Sequence, residues 1–203
     1  MCKNVVIIGA GGHAKVIADI VKKSGDNLLG FLDDSKLTGE EFFDAFVLGT
    51  VDSYLEFSDA EFIIAIGNNS VREEISKKMS GASFYTAIHP AAVIGEGVQI
   101  GAGTCVMANA VVNPDAVIGK HCIVNTASVI EHDNKISDFC HISPTAALAG
   151  TVTVGQRSHI GIGAKVKNNV VICSDVVVGA GGVVVKNITE AGTYVGVPAR
   201  KVK

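Results

Sequence analysis

Among the six histidines of this 203-residue chain, His132 has the most unusual setting. The stretch Ile130-Glu131-His132-Asp133-Asn134-Lys135 places an imidazole between two carboxylates. An imidazole exchanges its proton near neutral pH, and a neighbouring carboxylate fixes its tautomer and raises its basicity. A second kind of chemistry is carried by Gly9-Ala10-Gly11-Gly12-His13-Ala14, a turn in which glycines let backbone N–H groups approach a diphosphate. Asp33-Asp34 and Gly67-Asn68-Asn69 supply further polar groups at corresponding places. His141 and His159 are eighteen residues apart and are expected to stack, either as a surface ladder or as part of a site. His89, before Pro90, is expected to be structural, and His121 to lie solvated at an outer position.

The elements that position these residues fall into two kinds. From Ile88 to Val184 every sixth residue is aliphatic, seventeen positions without an insertion. The residue four places on is mostly small, as at Ala92, Thr104, Cys122, Cys140 and Ser158. So short a period is the mark of a β-solenoid. Six residues make one short strand and one corner, and three such units close a triangular coil of eighteen. The aliphatic residue faces inward, and Gly and Asn are expected at corners that need positive φ. Asn134 departs from the pattern, because it takes the place of a small interior residue.

Before the repeat, residues 1–85 read as a small α/β domain. Strands are expected at 4–8, 28–32 and 61–66, helices at 14–23 and 71–79, and a short strand at 83–88. The alternation β-α-β-(α)-β-α-β makes a small parallel sheet. On the second helix, Arg72, Glu73, Glu74, Lys77 and Lys78 read as the wet side. Loops 9–13, 33–34 and 67–69 all follow carboxyl ends of strands, so they converge on one crevice. Gly9, Gly11 and Ala14 fit G-x-G-x-x-A, and Asp33 stands where a ribose-binding carboxylate would sit. That pattern suits NAD, a nucleotide-sugar, or a turn that only packs strand on helix. The domain is about half the usual dinucleotide-binding size, and the convergence of loops favours a ligand.

Composition narrows the rest. A formal charge of −3 without a basic run speaks against nucleic acid. No stretch has the roughly 18 apolar residues of a membrane span. Five cysteines lack metal-like spacing, and Cys122 and Cys140 fall on one interior column, which reads as reduced core in a cytoplasmic protein. No two histidines are five apart, and no metal is expected.

The repeat resembles the left-handed β-helix of the hexapeptide-repeat acyltransferases. Joined to Gly-Ala-Gly-Gly-His, Phe31-Leu32-Asp33-Asp34, Ala65-Ile66-Gly67-Asn68-Asn69, Ser128–Asp133 and Gly196-Val197-Pro198-Ala199-Arg200, the whole chain is similar to the sugar O-/N-acyltransferases. That family includes N-acetyltransferases of UDP-4-amino-6-deoxy sugars in the bacillosamine and related pathways, and sialic acid O-acetyltransferases. The resemblance implies an α/β Rossmann-like domain at 1–85, a left-handed β-helix at 86–190 and a tail at 191–203 near the acetyl-CoA site. It implies direct acetyl transfer with His132 as base and Asp133 as its carboxylate. It implies nucleotide-sugar contacts from Gly11, Gly12, His13, Asp33, Asp34 and Gly67, and acetyl-CoA contacts from His141, Gly150, Ile162 and Pro198. It also implies a homotrimer with active sites between subunits. The other readings are O-acetylation of a sialic acid or related sugar, and a non-catalytic solenoid that senses a nucleotide.

Overall fold

The computed structural model describes residues 2–203. Its first layer is a five-stranded sheet in the order β3-β4-β2-β1-β5. β1 (Asn4–Ile8) is central, flanked in parallel by β2 (Asn27–Leu32) and β5 (Glu61–Ile64). Val5 to Ile8 are all 0% exposed, as a central strand covered on both faces requires. α1 (Gly12–Lys23) packs Ala14, Ile17, Ala18, Ile20 and Val21 on one side of the sheet. α2 (Asn69–Lys78) is capped by the Asn68 side chain, which accepts a hydrogen bond from Val71 N. The optional middle helix does not form. Its place is taken by the hairpin β3 (Glu41–Phe42) and β4 (Ala45–Gly49), with Phe43 and Asp44 at positive φ, and a 3₁₀ turn at Val51–Glu56. The expected 83–88 strand splits into a single bridge at Phe84 and the first rung of the solenoid, Ala87–Ile88.

From Ala87 onward the chain is a parallel β-helix. Rungs of two residues stack eighteen apart into faces of six, five and eight strands, the last including the tail strands Gly192–Val195 and Arg200–Lys201. The aliphatic positions form one continuous core from Val106 to Val184. Each corner carries one residue at positive φ, at every sixth position from Gly97 to Gly181. Most of these are not glycine or asparagine. His121, Ala127, Asp133, Phe139, Thr145 and Arg157 all adopt it, held by the hydrogen bonds of the coil above and below.

The small interior residues have a job beyond size. Thr104 Oγ1 donates to Gly119 O fifteen residues on and accepts from Cys122 N eighteen residues on. Ser158 repeats this with Cys173 O and Val176 N. Cys122 and Cys140 donate their thiols to Ser137 O and Gly155 O, so they are free, buried rivets between coils. Asn134, 0% exposed, does the same with both ends of its amide: Nδ2 donates to Glu131 O and Ala149 O, and Oδ1 accepts from Val152 N. The two layers share a core, in which Val5, Ile7 and Ala14 join Ala87, Cys105, Met107 and Ile123 of the eight-stranded face.

Candidate active site

His132 lies at the corner between the six- and five-stranded faces. Its Nδ1 is 2.7 Å from Asp133 Oδ2, and both side chains are more than half exposed. An ionised carboxylate only accepts, so Nδ1 carries the proton and Nε2 is left free to receive one. The bond to Asp133 raises the imidazole above its ordinary value. Asn134, directly behind, pins this corner to the coil that carries Gly150. A Cβ added at Gly150 would stand 2.6 Å from both Cε1 and Nε2 of His132. The ring therefore lies close against the Gly150 backbone, and any side chain there would displace the imidazole.

The crevice at the α/β layer is built separately. Asp33 Oδ2 accepts from Ala10 N at 2.7 Å and Oδ1 from Ser35 N at 2.8 Å, which ties the glycine turn to the end of β2. Burial pushes the Asp33 carboxyl up, but these donors outweigh it and hold it below the usual range. Asp34 Oδ1 accepts from Val51 N and anchors the 3₁₀ turn. Both aspartates thus hold the loops at the ends of the strands in place. Cβ atoms at Gly11, Gly12 and Gly67 would meet nothing within 4 Å, so the loops around the crevice present bare backbone to open space. His13 stands at the base with a buried, unpartnered Nε2, and burial lowers its pKa to about 4. A cleft of about 290 Å³ is lined by residues 67–70 after β5 and by Arg157, His159, Asp175 and Val177 of the prism.

His141 and His159 do stack, with ring centroids 4.5 Å apart and planes within 4°. Their Nε2 atoms bond to Asn125 Nδ2 and Ser143 Oγ. They lie on the eight-stranded face against the Gly67 loop, where burial and the neighbouring ring take His141 down to about 3. Ile162, 55% exposed, occupies the corner after this face, and the tail residue Ala199 donates to Val183 O one coil further on. Pro198 is exposed beside it.

Two residues were misplaced by the sequence. His121 is 5% exposed, stacked on Phe139 and met edge-on by Phe84, because the α/β layer covers that corner. Arg72 is 1% exposed and belongs to the seam between the layers, whereas helical spacing alone put it on the wet side. Helix periodicity cannot see the prism wall against which α2 rests.

Within one chain His132 and the crevice do not meet. The crevice adjoins the eight-stranded face, and His132 is on the prism edge opposite that face. Of the expected site residues, only Asp133 and Gly150 are brought to His132.

The profile of the PglD N-terminal domain matches residues 4–79. A perosamine N-acetyltransferase mutant from Caulobacter crescentus, solved with CoA and GDP-perosamine, is 36% identical with a TM-score of 0.94, covering 100% of this chain and 98% of its own. The chain belongs to the hexapeptide-repeat sugar N-acyltransferases. The acetyltransferase domain of PglB from Neisseria gonorrhoeae gives 35% identity and a TM-score of 0.93 over 98% of this chain and 100% of that one. The UDP-N-acetylbacillosamine N-acetyltransferase of Bacillus subtilis is 41% identical over 112 residues, 52% of each protein, so the match spans about half that curated relative. With this family the chain shares the small α/β domain and the left-handed parallel β-helix. Among the described residues no helix is long and apolar enough to cross a membrane, and no cluster of three metal-ligating side chains occurs.

Proposed function

We propose that this acyltransferase moves the acetyl group of acetyl-CoA directly to the amine of a nucleotide-activated 4-amino-4,6-dideoxy sugar, with His132 as general base. The observation that carries this reading is the His132–Asp133 pair, in which Nδ1 is held by the carboxylate and the exposed ring keeps Nε2 free to take a proton. Nε2 removes a proton from the amine as its nitrogen bonds to the thioester carbon. The resulting imidazolium, held by Asp133, returns that proton to the sulfur as the carbon–sulfur bond breaks. Backbone N–H groups near Gly150 are suited to the developing oxyanion. No cysteine is needed as a nucleophile: Cys122 and Cys140 lie in the prism core, Cys105 packs against the α/β layer, and Cys173 is half-buried.

The separation of His132 from the crevice supports a homotrimer. The outward column of the six-stranded face reads Val93, Val111, Val129, Ala147, Lys165 and Val183, and that of the five-stranded face is more polar, with Gln99, Lys135 and Thr153. Packing three apolar faces about an axis brings the His132–Gly150 edge of one chain to the His141–Ile162–Pro198 side of the next. The donor would lie along that seam, with the acceptor reaching in from the crevice.

The uridine nucleotide follows the Bacillus subtilis relative. A GDP-linked amino sugar is the second reading, favoured by the full-length likeness to the enzyme solved with GDP-perosamine. Acetyl transfer is to be measured with UDP- and GDP-linked 4-amino sugars, with sialic acid as the O-acetylation control. Turnover of sialic acid alone, or of no acceptor, sinks the reading. Subunit mixing tests the shared site. A Cβ at Gly11 meets nothing within 4 Å, so Gly11→Val should fold and raise the acceptor KM by roughly tenfold, about 1.4 kcal/mol of lost binding. Trimers mixed from Gly11→Val and His132→Ala chains should recover activity that neither parent has at low acceptor concentration. No recovery would place base and crevice in one chain.

A further inference from the structure

The charge buried between the two layers has no acidic partner. Arg72 donates from Nε to His121 O at 2.7 Å, from Nη1 to Ile66 O at 2.8 Å and Gly67 O at 3.3 Å, and from Nη2 to Asn69 Oδ1 at 2.8 Å and Phe139 O at 2.9 Å. Every acceptor is neutral, and all but one are main-chain carbonyls. Burying a cation this way costs several kcal/mol that an apolar side chain of similar size would not. Adhesion of the two layers does not demand it, because they already share an apolar core.

The arrangement makes sense as a gauge. One side of the guanidinium grips the loop that follows β5, which forms the third wall of the crevice. The other grips successive coils of the prism, at His121 and at Phe139. The stitch continues through Asn69, whose Nδ2 donates to Arg157 O at 2.8 Å and Ser158 O at 3.2 Å, one coil higher. A planar fork with five donors spans these directions, and the single ammonium of a lysine does not. Immediately beyond this stitch lie the cleft beside His159 and the open backbone of Gly67. After burial, the same charge also opposes protonation of His13, His121 and His159, and at His141 it follows both burial and the neighbouring His159 ring.

We propose that Arg72 is a positioning residue for the acceptor: its guanidinium sets the separation between the Gly67 loop and the His141–His159 wall, and so the depth at which the nucleotide-sugar is held. This rests on the reading of the crevice as the acceptor site.

The test compares Arg72→Lys, Arg72→Met and Arg72→Gly by steady-state kinetics in both substrates. The expected result is an acceptor KM raised on the order of tenfold or more, a smaller fall in kcat, and an acetyl-CoA KM little changed. Added guanidinium ion should restore the acceptor KM of Arg72→Gly. An acceptor KM in Arg72→Lys equal to wild type overturns the proposal. So does a parallel rise of both KM values with a lowered melting temperature and no guanidinium rescue, which marks Arg72 as support for the fold alone. If Arg72→Met and Arg72→Gly do not fold, Arg72→Lys decides. Wild-type protein that acetylates no nucleotide-sugar would instead defeat the proposed function. Calorimetry with UDP and GDP then reads Arg72 by itself, and equal affinity in wild type and Arg72→Lys overturns its role.

Discussion

His121 and His132 are eleven residues apart and occupy neighbouring corners of one solenoid, yet they are opposite in chemistry. His121 is capped by Phe84, stacked on Phe139 and faced by Arg72, and burial takes its pKa down to about 4. His132 is exposed, bonded to Asp133 and shifted upward. The two take different places in the corner: His121 is the residue at positive φ, whereas His132 precedes Asp133, which has that conformation. The covering differs as well, since the α/β layer closes over His121 while His132 stays exposed beside Asp133 and the Gly150 backbone. Corner position, the next residue in the chain and the covering layer together set whether an imidazole is packing or an exposed, basic group.

The comparison is broken most directly at His132. His132→Ala should lower kcat by about 10²–10⁴-fold, the usual size for removal of a general base. Melting temperature and acetyl-CoA affinity should hardly change, since the side chain is outside the prism. His121→Ala should show the reverse, a lower melting temperature with a modest effect on kcat in the protein that remains folded. Near-wild-type turnover in His132→Ala would move the base elsewhere.

Gly150→Ala sharpens the contrast from the side of the cover. It places a methyl group 2.6 Å from the His132 ring, which now lies close against the glycine backbone. The imidazole must swing aside or be masked, and a misplacement on the order of 1 Å costs up to about 10²-fold in rate. Thermal stability should be less affected than kcat, because the exposed ring can give way. An unchanged kcat would mean that Nε2 is approached from another direction.

Much of this was readable in advance because the six-residue period is strict. It located the prism, its interior column and the anomaly at Asn134, and the strand-end loops located the crevice. The hairpin at β3–β4 was not readable, since five residues of Ala45–Gly49 are too few to separate a strand from part of a short helix. The burial of His121 and Arg72 was hidden for a different reason. Each is covered by segments distant in the chain: Phe84 reaches His121 across 37 residues, and Arg72 reaches Phe139 across 67. Local periodicity carries no record of such contacts. The opposition of His132 and the crevice also needed the folded prism, because only the order of its faces shows that they lie on opposite sides of one chain.

The smallest expected effect is at Asp133, and it isolates the electrostatic half of the comparison. Asp133 adopts φ 60°, a conformation that asparagine tolerates as readily as aspartate. Asp133→Asn should therefore keep the corner and leave an oxygen to accept from Nδ1, while removing the charge that raises His132. As the proposed base, His132 must be unprotonated to act, so activity should fall as pH drops through its pKa. With Asp133 present that acidic limb should lie above the ordinary histidine value of about 6.5. In Asp133→Asn it should move to lower pH. The loss in kcat on the plateau should be several-fold at most, as a weaker base transfers the proton less readily. His13 and His121, at about 4, and His141, at about 3, are already neutral through this range and should not blur the limb. A pH–rate profile for kcat/KM that is superimposable on wild type would show that Asp133 only orients the ring, or that the limb belongs to another group.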